Sequence, residues 1–178
     1  MYGYASHGRA AEALSLFREL HAGGRWPHAF DFSIILRVCA SLSNCCLGRE
    51  LHCFCLKSGY LEDVFVANGL VAVYASCGLL RCSEDVFWGI RQPDLASWTS
   101  MLSALIKNGF DEKALWLLEE MARDGVQFDA YVLSVGLKAS SNLNCRASGV
   151  QIHCLMVKLG LNSHAFLRNS LLEFYGRL

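Results

Sequence analysis

The chain repeats itself at a spacing of 101 residues, without a gap from one end to the other. Gly8, Ala13, Leu14, Leu16, Glu19 and Gly24 recur as Gly109, Ala114, Leu115, Leu117, Glu120 and Gly125. Leu42, Gly48, His52, Cys53, Lys57 and Gly59 recur as Leu143, Gly149, His153, Cys154, Lys158 and Gly160. Phe65, Asn68, Leu70 and Tyr74 recur as Phe166, Asn169, Leu171 and Tyr175. Self-similarity at fixed spacing belongs to stacked repeats, whose units bury their apolar faces only against neighbours.

Composition supports a packed core. Of 178 residues, 53% are hydrophobic and only two are proline, which excludes a disordered chain. Sixteen positive charges balance sixteen negative ones, so no global basic field attracts a polyanion. The nine cysteines include no CxxC spacing, and no HxxxH accompanies them, so a zinc site is disfavoured. Most lie in apolar runs and read as reduced thiols acting as small hydrophobes. His52 and His153 stand beside cysteines at equivalent repeat positions, which favours a shared packing role over a ligand role. No apolar run approaches the ~20 residues that span a bilayer. Met1-Tyr2-Gly3-Tyr4 shows no signal or transit pattern, so address information is expected upstream of this stretch or is missing from a truncated gene model.

The periodicity is helical throughout. Stripes at helical spacing cover Glu12–Leu20, Phe30–Leu42, Leu47–Leu56, Val64–Tyr74 and Leu80–Trp88. Leu95–Lys107, Glu112–Ala122, Ala130–Ser140, Ala147–Leu159 and Phe166–Tyr175 follow, and no convincing strand is found. Gly8, Gly78 and Gly109 separate the helices of a pair, while Gly24, Gly59, Gly125 and Gly160 close the second helix. The expected fold class is all-α, an α-solenoid of stacked helix-turn-helix repeats wound as a right-handed superhelix.

Asp63, Asp94, Asp129 and His164 each stand immediately before a first helix. They divide the chain into units 29–63, 64–94, 95–129 and 130–164, of 35, 31, 35 and 35 residues, with partial units at 1–28 and 165–178. A uniform 34-residue tetratricopeptide array does not produce this mixture.

The unit openings carry a resemblance. Leu95-Ala96-Ser97-Trp98-Thr99-Ser100-Met101-Leu102 resembles the start of the standard repeat of the plant pentatricopeptide repeat (PPR) family. Leu47-Gly48-Arg49-Glu50-Leu51-His52 with Leu56-Lys57-Ser58-Gly59 resembles its long repeat. Val64-Phe65-Val66-Ala67-Asn68-Gly69-Leu70 with Tyr74-Ala75-Ser76-Cys77-Gly78 resembles its short repeat. The order standard, long, short matches the PLS subclass, here a single array over 1–178 without the C-terminal editing domain. The resemblance implies binding of single-stranded RNA in mitochondria or chloroplasts, with recognition of sites of cytidine-to-uridine editing.

It also implies a reading scheme in which each unit reads one base through two or three side chains. The fifth residue contacts the base edge and the last residue supports it. Asn68 with Asp94 implies uridine, with cytidine second. Thr99 with Asp129 resembles the guanine combination. Ser33 with Asp63 falls in a long unit, where the scheme holds poorly. Ser134 with His164 departs from it and assigns no base, and Asn169 opens an incomplete unit. The second residues Phe30, Phe65, Ala96, Tyr131 and Phe166 would stack on bases, with Ala96 the weak member. Lys107 would contact a phosphate by the same analogy.

Each of these residues also has a plainer reading. Asp63, Asp94 and Asp129 fit helix N-caps, a role compatible with base support. Asn68, Thr99 and Ser33 fit exposed helix positions, the aromatics fit a core between units, and Lys107 fits a helix-end cation. Recurrence in register favours the reading scheme. No catalytic constellation, HxE with PCxxC deaminase signature or GxxxxGK[ST] phosphate loop is present, and Glu119-Glu120 read as a solvated face. The expected protein is therefore not an enzyme and needs no cofactor. Editing would require a deaminase domain beyond Leu178, or an editing deaminase or cofactor protein supplied in trans. The alternatives are a tetratricopeptide-type protein-interaction scaffold and a fragment too short to function. Replacing Thr99 by Asn is expected to shift preference at one base only, toward a pyrimidine. Loss of affinity at every base in an oligonucleotide series would assign Thr99 to packing instead.

Overall fold

The computed structural model describes residues 9–22 and 27–177, with side chains described except at 21 and 22. Gly8 and Gly24, expected to end helices, lie outside the described residues. Among the described residues there are ten α-helices and no strand, as the periodicity requires. They fall into two compact units, the first ending at Ala104 and the second beginning at Leu105. The first unit holds α1 (Ala10–Ala22), α2 (Ala29–Ser41), α3 (Cys45–Ser58), α4 (Val64–Ser76), α5 (Leu80–Trp88) and most of α6 (Leu95–Lys107). The second holds the end of α6, then α7 (Asp111–Arg123), α8 (Ala130–Asn142), α9 (Arg146–Lys158) and α10 (Ala165–Gly176).

Side-chain caps fix where helices begin. The Asp63 carboxylate accepts from the backbone N–H groups of Phe65 at 2.9 Å and Val66 at 3.2 Å. Asp129 accepts from the Val132 N–H at 2.8 Å. Each satisfies donors that a helix start leaves without an intrahelical partner. The turn inside a pair needs one left-handed residue. Gly78 and Gly109 supply it with φ of 72° and 78°, while Ser43 and Asn144 supply it in the long units with φ of 49° and 51°. Ser43 and Asn144 are 101 residues apart, so the non-glycine turn is itself a repeated feature. Short 3-10 turns at Tyr60–Glu62 and Leu161–Ser163 were not expected from the periodicity. They lie at the end of the long units, after second helices of 14 and 13 residues. The 31-residue unit is shorter because α5 has only 9 residues.

First helices lie at the centre of each stack. α4 is apolar nearly all round and rich in β-branched valine, a composition with modest intrinsic helix propensity. It is helical because α2, α3 and α5 bury it. In the first unit Phe32, Leu36, Cys55, Val66 and Val73 belong to one buried cluster. In the second, Leu133, Leu137, Met156, Leu167 and Phe174 form the equivalent cluster, each 101 residues later. Trp98 is also fully buried, edge-on to Phe87 at 5.1 Å between ring centres.

Two repeated contacts define how a long pair docks on the next first helix. Gly48 on α3 faces Val73 on α4, and Gly149 on α9 faces Phe174 on α10; a Cβ at either glycine would collide with the facing side chain. His52 Nδ1 lies 2.7 Å from the Tyr74 hydroxyl, and His153 Nδ1 lies 3.0 Å from that of Tyr175. The equivalent histidines therefore tie neighbouring helices together, the packing role inferred from their spacing. The cysteines divide: Cys39 and Cys55 are core residues, whereas Cys46, Cys53 and Cys154 are exposed, contrary to a uniform role as buried hydrophobes. Glu119 and Glu120 pair with Arg123 on the exposed face of α7, as expected.

Gly149→Ala tests the close approach. Overpacking against the Phe174 ring costs about 1–3 kcal/mol, and the better helix propensity of alanine returns up to about 1 kcal/mol. A net loss on the order of 1 kcal/mol is expected in urea unfolding. An unchanged midpoint would show that the ring swings aside freely.

Candidate functional site

The first helices of three successive pairs share one face in the first unit. Phe30, Ser33, Ile34 and Arg37 of α2, Phe65, Asn68, Gly69 and Ala72 of α4, and Ala96 and Ser100 of α6 line a cleft of about 340 Å³. The spacing of Phe30, Ser33 and Arg37, and of Phe65, Asn68 and Ala72, is i, i+3, i+7, which places each set on one helix face. Gly69 brings α4 onto α2, since a Cβ there would stand 2.9 Å from the Leu36 Cβ. An interior glycine costs a helix about 1 kcal/mol against alanine, and this approach is its structural reason.

Phe30 and Phe65 are 65% and 70% exposed, so they are not core aromatics. Their rings flank the cleft. Ala96, the third second-position residue, is exposed and contributes only a methyl group. In the second unit Tyr131 and Phe166 are 45% and 58% exposed at the same helical position of α8 and α10.

The fifth residues behave in two ways. Ser33, Thr99 and Ser134 turn their hydroxyls back to donate to the carbonyls of Phe30 at 2.8 Å, Ala96 at 3.0 Å and Tyr131 at 2.7 Å. Such back-bonding is the usual local option for a hydroxyl in a helix. Ser134 is buried, whereas Ser33 and Thr99 are half-exposed. Asn68 differs, because its side chain reaches the Asp94 carboxylate. A carboxylate only accepts, so the Asn68 NH₂ group must face it. The Asn68 carbonyl oxygen is then the atom left over, and it is shielded from solvent with no hydrogen-bond partner among the described residues.

Asp94 also caps α6. It accepts from the Ser97 N–H at 2.8 Å and from the Ser97 hydroxyl at 2.8 Å. Burial would raise its pKa, but hydrogen bonds from Ser97 and Asn68 outweigh burial and hold the carboxyl below its ordinary range. One carboxylate thus starts a helix and accepts from an amide of the preceding helix pair. Asp63 and Asp129 cap α4 and α8, and Asn169 is exposed on α10. Lys107 ends α6 and is exposed, where a cation suits the helix dipole. His164 makes no side-chain cap.

Arg37 and Gly69 were not singled out from sequence. An exposed arginine on an amphipathic helix carries no special signal, but i, i+3, i+7 spacing from Phe30 would have placed it on the cleft face. Among the described residues no cluster of histidine, cysteine and carboxylates is arranged to hold a metal ion. No helix among them is long and apolar enough to cross a membrane.

The chain matches the family of the PPR repeat at residues 1–25 and 96–126. It is 31% identical over 177 residues to the pentatricopeptide repeat-containing protein At4g33170 of Arabidopsis thaliana, covering 99% of this chain and 18% of that protein. It is 34% identical over 176 residues to the Arabidopsis pentatricopeptide repeat-containing protein At3g53360, mitochondrial, covering 98% of this chain and 23% of that protein. Another similar Arabidopsis protein carries the description chloroplastic. The chain thus spans about a fifth of these relatives. Among solved structures, the pentatricopeptide repeat protein PPR10, crystallised with an 18-nt psaJ RNA element, matches with a TM-score of 0.74 and 24% identity over 92% of this chain and 25% of that one. That likeness establishes the helical-repeat fold.

Asn68→Ala is expected to raise the Asp94 pKa toward the ordinary carboxylate range. Because the folded-state value is depressed, Asp94 stabilises the fold above its unfolded pKa and loses that contribution as pH falls through the folded value. An NMR titration of the Asp94 carboxyl in both proteins measures the shift, and identical titrations would dissociate the two side chains.

Proposed function

We propose that the chain is an array of PPR repeats and binds single-stranded RNA along the face that holds Phe30, Phe65 and Asn68. The observation that carries this reading is the orientation of Asn68. Asp94 holds its amide nitrogen and leaves its carbonyl oxygen without a donor beside a cleft flanked by the exposed side chains of Phe30 and Phe65. An unsatisfied shielded acceptor costs about 1–3 kcal/mol, which a base N–H would recover once the Asn68 side chain turns its oxygen into the cleft. Uracil presents an N3–H beside a carbonyl, matching the Asn68 oxygen as acceptor and its remaining amide hydrogen as donor. Cytosine lacks that N3–H and ranks second.

The sequence pairings complete the proposal. Asn68 with Asp94 reads uridine, Thr99 with Asp129 reads guanine, and Ser33 with Asp63 contributes little. Phe30, Phe65 and Tyr131 stack on bases, Ala96 only weakly, and Lys107 contacts a phosphate. With no net charge, stacking rather than counterion release supplies much of the affinity. The mixture of 35- and 31-residue units supports assignment to the PLS subclass, and through it a role in choosing sites of cytidine-to-uridine editing, with the deaminase acting in cis or trans. The mitochondrial and chloroplastic relatives support an organellar location.

Fluorescence anisotropy with short RNAs varied one base at a time tests the reading. Phe65→Ala is expected to weaken binding of every sequence, by about 1–3 kcal/mol for one lost stack. Asn68→Ala should erase preference at a single position while other positions keep theirs. Equal affinity of the unaltered chain for matched and shuffled oligonucleotides would end the proposal.

A further inference from the structure

Cys45 and Cys77 meet across the α3–α4 interface of the first unit. Cys45 is the first residue of α3, and Cys77 follows the last residue of α4. The close approach of Gly48 to Val73 sets this up. Three residues back along α3 and four forward along α4 is one turn on each helix, so antiparallel neighbours bring 45 opposite 77. After burial, the nearby Cys45 thiol is a further cause of the raised Cys77 pKa, and the Ser76 hydroxyl lies 3.9 Å from the Cys77 sulfur. Both are partly exposed, unlike the core residues Cys39 and Cys55. The repeat equivalents are Arg146 and Leu178, so the pair stands outside the 101-residue period. Packing of the docked helices does not require it.

We propose that Cys45 and Cys77 are a reversible modification site, closing to a disulfide with a small-molecule disulfide of the glutathione class as oxidant. The Cys45 thiolate attacks one sulfur of the small disulfide, breaks its S–S bond and releases one thiolate, which takes up the Cys45 proton. The Cys77 thiol then gives up its proton and attacks the Cys45 sulfur of the mixed disulfide. The second small thiolate leaves and takes that proton. Two protein thiols are oxidised and one small disulfide is reduced to two thiols. Burial raises the Cys77 pKa, which makes it the second, intramolecular partner. The bond would cross-link units 29–63 and 64–94 at the end of α4 remote from Phe65, fixing the α3–α4 docking without entering the cleft.

The full chain equilibrated in glutathione redox buffers, alkylated and mapped by peptide mass spectrometry tests this. The expected result is a cross-linked peptide joining Cys45 to Cys77, reversed by dithiothreitol, with a thermal midpoint higher by about 5 °C. Cys45→Ser and Cys77→Ser should each remove both the link and the shift, with far-UV circular dichroism reporting that the helices remain. If either variant fails to fold, the peptide map of the unaltered chain still decides. Cys45 and Cys77 alkylated as free thiols where Cys46, Cys53 and Cys154 already carry glutathione would overturn the proposal. So would linkage of Cys77 to Cys46 as often as to Cys45.

Discussion

The docking of a second helix, through a glycine, onto the next first helix is the contact on which the rest depends. Gly48 against Val73 and Gly149 against Phe174 are the same contact made twice. It is a backbone-to-side-chain approach, so it tolerates exchange of the partner from valine to phenylalanine but not the addition of a Cβ. The His52–Tyr74 and His153–Tyr175 hydrogen bonds sit beside it and fix the rotation of one helix against the other. Once one face of a first helix is committed to these neighbours, the face with positions two, five and nine is left for the cleft. In the first unit that face holds Phe30, Ser33 and Arg37, then Phe65, Asn68 and Ala72.

Capping and recognition chemistry are joined through Asp94. Its hydrogen bonds from Ser97 start α6, and the same carboxylate orders the Asn68 amide. The hydroxyl residues Ser33 and Thr99 have no such external hold and bond to their own helix. The Asn68 amide instead reaches Asp94 at the end of its unit, and its carbonyl oxygen is left without a partner among the described residues. The difference between a held amide and folded-back hydroxyls is the strongest chemical distinction between successive cleft positions.

The helices and their boundaries were legible because each signal is local. Apolar spacing marks the stripes, an aspartate marks a start, and a glycine at positive φ marks a stop. The left-handed turns at Ser43 and Asn144 and the 3-10 turns after the long second helices were not legible. Ser43 takes the left-handed conformation without the glycine that usually announces it, and three residues make too short a period to detect. Cysteine placement was read only in part, since an apolar neighbourhood in sequence buried Cys39 and Cys55 but left Cys53 and Cys154 on the outer side of their helices. Gly69 and Arg37 carry roles set by neighbours in space, which spacing suggests but does not fix.

By itself, the amino-acid order determined that the chain is helical, that its sequence repeats every 101 residues, and which side chains hold equivalent places in each repeat. These follow from periodicity and from hydrogen bonds made within a few residues. Only the tertiary structure decided that Phe30 and Phe65 are exposed, that Asn68 is held by Asp94, and that Cys45 lies near Cys77. Exposure and contact depend on which face of a helix its neighbours cover, and those neighbours lie some 30 residues away along the chain.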